Sequence, residues 1–169
     1  MRPTTTRAAF SLVEVVIAVG IFAVAVTGTL ALLPSLTQQN LETTDRAVAL
    51  RLPVALEKEL GRMVKTSGFD SIALSIPVMN SHLENGMECV ATREGSALTT
   101  TTVAAIPDDK RYFLLEIWRF ERAPLAYDPA GAVLGVYVRV SWPYRVPGSA
   151  AATDIQTRNE VGWTLAINR

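Results

Sequence analysis

The chain has 169 residues, 49% of them hydrophobic and 19% charged, and 16 basic side chains balance 16 acidic ones. That length suits one domain with an appendage, and a zero balance with no basic face argues against a nucleic-acid partner. Cys89 is the only cysteine, which excludes an intramolecular disulfide and a cysteine cluster for metal. His82 is also alone and reads as a surface or packed residue rather than a ligand or base.

From Phe10 to Leu33 every residue is uncharged except Glu14. As a helix this run would be about 36 Å long, enough to cross a hydrocarbon core of about 30 Å. A carboxylate in lipid costs about 2.5–3.5 kcal/mol, so it usually has a partner or a function. Read from the residues, three kinds of segment compete. A secretory signal peptide would use Arg2 and Arg7 as its positive region, with a small-residue site at Thr29 and Ala31 that allows cleavage before Leu32. Against it stand the length of the run and the early acid. A plain anchor would keep Arg2 and Arg7 cytoplasmic and export the remainder, which leaves Glu14 unexplained. The third kind depends on local order: a short basic leader, then Ala9, then Phe10-Ser11-Leu12-Val13-Glu14-Val15-Val16.

That order resembles the type IV prepilin signature shared by pilins and pseudopilins. The resemblance implies that a prepilin peptidase cuts between Ala9 and Phe10 and methylates the new amino terminus at Phe10. Glu14 is then the acid at the fifth mature position, pairing with the Phe10 amine of a neighbouring subunit. The family prefers glycine before the cut, and alanine at position 9 implies slower processing. It further implies an inner-membrane assembly platform and other pilin or pseudopilin subunits as partners, and a role as a minor pseudopilin or minor pilin of a type II secretion or type IV pilus-like filament. The run FSLVEVV with a later LLP is also similar to the Verru_Chthon cassette group of prepilin-type proteins. The expected location is the inner membrane, single-pass, with residues 1–9 as a cytoplasmic leader and the C-terminal domain in the periplasm. Cleavage would leave 14 basic and 16 acidic residues, a net charge of −2.

Farther along, Pro34 predicts a kink or a brief break and Pro53 a second. Val48, Leu52, Leu56, Leu60 and Val64 recur every four residues, while Arg51, Glu57, Lys58, Glu59 and Arg62 lie mostly elsewhere on the wheel. This predicts an amphipathic helix over 35–67, packed on a domain and stopping at Gly68. Beyond it the period falls to two. Val133–Trp142 and Val161–Ile167 alternate cleanly and predict half-buried strands. Tyr112–Arg122 is apolar on both faces in its first half and predicts a central strand covered on one side by the long helix, with AYDPAG turning the chain back as a hairpin. Met87–Arg93 predicts a further strand, and Ile72–Val78 a weaker one because of Pro77. The threonine run 99–102, PDDK at 107–110 and residues 147–153 read as loops.

The expected fold class is α+β: a long N-terminal helix, membrane-spanning over 10–34, packed by its second half on an antiparallel sheet domain over 68–169. No catalytic set, cofactor motif or metal cluster is read. Asp108, Asp109 and Asp128 could offer oxygens to calcium but lack the spacing of a calcium loop. Trp118, Trp142 and Trp163 fall at strand positions and predict core packing. Two further function classes compete: a monomeric, membrane-anchored periplasmic binding domain that never polymerises, and a secreted enzyme released after Ala31.

Overall fold

The structure, a computed structural model, describes residues 11–100, 106–145, 152–154 and 157–169. The expected leader over residues 1–9, the Ala9–Phe10 junction, and residues 101–102 and 147–151 of the expected loops lie outside the described residues. The chain divides into two units, Met1–Thr43 and Thr44–Arg169, here called the anchor and the head.

The anchor's helix, α1, is assigned over Leu12–Ala49 and runs through Pro34 without a break, contrary to the expectation of an interruption there. One proline removes a single backbone donor, and the Leu- and Ala-rich turn before it holds helix well. Hydroxyls are also absorbed within the helix: Thr27 donates to Ala23 O at 2.8 Å, Thr29 to Val26 O at 2.9 Å and Thr37 to Leu33 O at 2.8 Å. These threonines therefore present no unmet donor to an apolar surrounding. The interruption comes instead at Leu50–Arg51, where Arg51 N bonds Val48 O in a tightened turn at 2.9 Å. Pro53, at the second position of the next helix, cannot donate to the preceding turn, and its fixed φ suits a helix start.

In the head, α2 (Leu52–Ser67) buries Leu52, Leu56 and Leu60 completely, with Val48 and Val64 packed beside them. Arg51, Glu57, Lys58 and Arg62 are exposed on its other side. Each buried leucine stabilises the head by about 1.5–3 kcal/mol relative to exposure. Gly68 ends α2 at φ 88°, a left-handed backbone that glycine adopts without strain. The chain then re-enters a helix, α3 (Phe69–Ser75), where a strand over Ile72–Val78 was expected. Phe69, Ile72, Ala73 and Ile76 are buried at helical spacing, so the period was 3.6 rather than two. Pro77 forces Ile76 into extended backbone and stops the helix. Of the expected strand only a bridge from Val78 to Arg119 remains.

Five antiparallel strands follow: β1 (Met87–Ala91), β2 (Leu98–Thr100), β3 (Phe113–Arg119), β4 (Val133–Trp142) and β5 (Asn159–Asn168), in the spatial order β2-β1-β3-β4-β5. β3 is central as expected, and the β3–β4 hairpin closes with Leu115 opposite Val140 and Ile117 opposite Val138. Two expected loops are ordered differently. Leu98–Thr100 pairs with β1 as an edge strand, which the β-branched threonines favour, and Asp108–Lys110 is a 3-10 turn.

One face of the sheet forms the core with the head's helices: Cys89 and Ala91, Phe113, Leu115 and Ile117, then Leu134 through Trp142 at alternate positions, and Ile167. Val161, Trp163 and Leu165 pack at its margin. The other face is covered by loops. Ile106 and Tyr144 lie over Val90 and Leu114, and residues 80–86 cross over Trp118. Trp118 is fully buried and donates its Nε1–H to Glu84 O at 3.2 Å. A Cβ on Gly86 would meet its ring at 2.7 Å, so this crossing requires glycine. Beside it Arg139 donates Nε and Nη2 to Glu116 Oε2 at 3.0 and 2.8 Å and a third bond to Leu83 O at 3.1 Å, with its guanidinium 5.2 Å from the Trp118 ring centre. Trp118 and Trp142 are core residues and Trp163 is half-buried, in keeping with their strand positions.

Candidate assembly site

The only charge between Phe10 and Leu33 sits in the first turn of α1. Ser11 precedes the helix, its carbonyl accepts the first helical bond from Val15 N at 3.2 Å, and its Oγ accepts from Glu14 N at 3.4 Å. Ser11-Leu12-Val13-Glu14 thus has the form of a capping box, with serine at the N-cap and glutamate three residues on. The bond uses the backbone N–H of Glu14 and leaves its carboxylate without a bond among the described residues. The box was legible in the sequence as S-x-x-E but was hidden by the resemblance, which assigns the carboxylate to another subunit. An acid at this end also complements the helix dipole.

Around that carboxylate the helix is bare. Every residue from 11 to 44 is exposed, with Leu12 at 83% and Phe22 at 69%. Among the described residues this is the one helix long and apolar enough to cross a membrane. No described cation pairs with Glu14. From Leu12 to Leu33 the helix therefore offers an apolar surface over several turns and a single carboxylate at one end of it.

The remaining candidates from the sequence do not converge. Asp108 accepts from Arg111 at 2.7 Å and from Arg145 at 3.2 Å, while Asp128 closes its own turn by accepting Ala130 N at 2.9 Å. Among the described residues no three His, Cys, Asp or Glu side chains gather. His82 is exposed on the loop that crosses Trp118. Cys89 is buried in the core, and that burial pushes its thiol up to about 12, far from a reactive thiolate.

A further cluster lies in the head. Asp45, only 6% exposed, receives Arg93 Nε and Nη2 at 2.9 Å each and Tyr112 Oη at 2.7 Å. The Arg93 guanidinium also lies 4.8 Å from the Tyr112 ring centre. This ties the last turn of α1 to the β1–β2 hairpin and to the start of β3. The signal was an acid three residues before Val48, in line with the apolar stripe. A cleft of about 470 Å³ opens beside it, lined by Arg93, Lys110 and Arg145 but also by Glu94 and Asp109, so it has no single-sign field.

Burial, followed by the bond donated to Asp45, pushes the Tyr112 hydroxyl up to about 12. An unfolded tyrosine titrates near 10. The neutral hydroxyl thus stabilises the head in full below about pH 10, and that contribution is lost as pH rises through 12. Thermal melts from pH 8 to 12 should show the midpoint falling above about pH 10, and Tyr112→Phe should lack that part of the fall.

No family model, curated protein or solved structure matches this chain.

Proposed function

We propose that this chain is a single-pass inner-membrane subunit, a minor pseudopilin or minor pilin of a type II secretion or type IV pilus-like filament. A prepilin peptidase cuts it between Ala9 and Phe10 and methylates Phe10. An assembly platform then transfers the subunit from lipid into the filament, where α1 exchanges lipid contacts for those of neighbouring helices. The observation that carries this reading is the exposed apolar run of α1, whose only charge is Glu14 in its first turn. In a simple anchor that charge could serve only the local helix end, whereas a subunit that must find its register among like helices needs it for pairing. An α+β head, with a helix laid on an antiparallel sheet, agrees with the resemblance.

The test is the N-terminal sequence and intact mass of the protein recovered from its native membrane. A chain starting at N-methylated Phe10 is expected. A start at Met1 would remove peptidase processing and leave a monomeric anchored binding domain, and a start at Leu32 would make the run a signal peptide.

A further inference from the structure

β5 pairs with β4 along all its length, and among the described residues nothing pairs with its other side. Arg169 N donates to Ala132 O at 2.9 Å, extending the register in which Ile167 faces Leu134 and Leu165 faces Val136. Bonded and non-bonded pairs alternate in an antiparallel ladder. Asn159, Val161, Trp163, Leu165 and Ile167 therefore turn their backbone groups toward β4. Glu160, Gly162, Thr164, Ala166 and Asn168 turn theirs outward, and all five are exposed.

Open edges of this kind are normally blunted by lysine, proline, a bulge or extreme shortness. β2, at the opposite edge, is three residues long. β5 has ten residues, an unbroken register, no lysine or proline, and one charge, Glu160, near its start. Val161, Trp163 and Leu165 on its core face remain half-exposed because no strand follows them.

The strand is also complementary to itself. Laid antiparallel against its own copy about Thr164, it sets Glu160 opposite Asn168, Gly162 opposite Ala166 and Thr164 opposite Thr164. On the core face Val161 meets Ile167 and Trp163 meets Leu165. No like charges oppose each other, each apolar side chain of the core face meets another, and every outward N–H and C=O from 160 to 168 gains a partner. Aromatic–aliphatic and threonine–threonine pairs are among those that stabilise adjacent strands.

We infer that the β5 edge is an interface between two copies of this chain, joined antiparallel about Thr164 so that their sheets run on as one. The pairing concerns the heads alone and is independent of the filament reading. An isologous contact closes on itself, whereas a filament needs a head-to-tail contact elsewhere on the subunit.

Cysteine cross-linking of the full chain in detergent tests the register, and Cys89 is silent because it is buried. Two Thr164→Cys residues would lie on the axis with Cα atoms about 5.5 Å apart, within disulfide range. Thr164→Cys should therefore form a disulfide-linked dimer under mild oxidation. Two Ala166→Cys residues would be offset by about 13 Å along the strands and should not. A mixture of Glu160→Cys and Asn168→Cys chains should yield the heterodimer and neither homodimer. Adding Thr164→Pro to both removes an outward N–H that β4 does not use, and should abolish that heterodimer while circular dichroism and melting are retained. Ala166→Lys, which charges the edge without touching the backbone, should do the same if the proline variant fails to fold. Equal cross-linking at 164 and 166, or a heterodimer that survives Ala166→Lys in a folded head, would overturn the pairing.

Discussion

Arg139→Met is expected to destabilise the head by about 3–5 kcal/mol, because it leaves the Glu116 carboxylate buried without a counter-charge. The two side chains are 15% and 10% exposed, and the two Arg139 bonds to Glu116 converge on a single carboxylate oxygen. The same change frees Leu83 O and removes the cation beside Trp118. For a head of this size the loss corresponds to a fall of roughly 10–20 °C in the melting midpoint. The double variant Glu116→Leu/Arg139→Met is the informative comparison. Replacing both partners of a buried pair with apolar groups is often neutral or stabilising, so it should recover most of the loss. Thermal melts of the two variants check this. Equal destabilisation would mean that the bond to Leu83 O, which holds the 80–86 crossing in place, matters more than the charge pair.

That pair also marks where sequence reading stops. The helix stripe and the strands over 133–142 and 161–167 were legible as periodic patterns, the central strand as a run apolar on both faces, and the hairpin from the turn residues AYDPAG. Glu116 sits inside a run that is apolar on both faces, and its partner Arg139 is an alternate residue of a strand whose other face is apolar. Nothing local says that the two are directly opposite, which only the β3–β4 register provides. The 80–86 crossing is similar: NSHLENG carries no periodic pattern, yet Asn80 Oδ1 accepts from His82 N and Glu84 N at 3.2 and 3.0 Å and shapes it to cover Trp118. The error over Ile72–Val78 was of another kind. Seven residues with a proline fit either period, and packing against α2 decided for helix. Within the candidate site, the apolar run and its lone carboxylate were plain from the sequence. The S-x-x-E pattern at Ser11 was equally visible there.

The two roles of Glu14 part company in the comparison of Glu14→Ala with Glu14→Gln. A capping box accepts glutamine in place of glutamate, so a purely local role predicts that Glu14→Gln behaves close to wild type, while Glu14→Ala loosens the first turn without unfolding the helix. Neither would change where the subunit goes. Under the proposed function the charge itself is needed: it pairs with the Phe10 amine of a neighbour, and a neutral amide leaves that amine buried and unpaired, at about 3–5 kcal/mol per contact. Glu14→Gln should then be as defective as Glu14→Ala in filament incorporation, with both chains stable and abundant in the membrane. Removal of the charge should, if anything, ease residence in lipid. The measurement is the fraction of each variant recovered in sheared or pelleted filaments relative to the membrane pool. Loss in both variants establishes the charge as the assembly determinant. Loss in neither makes the carboxylate a helix cap and the chain an anchored head that does not polymerise.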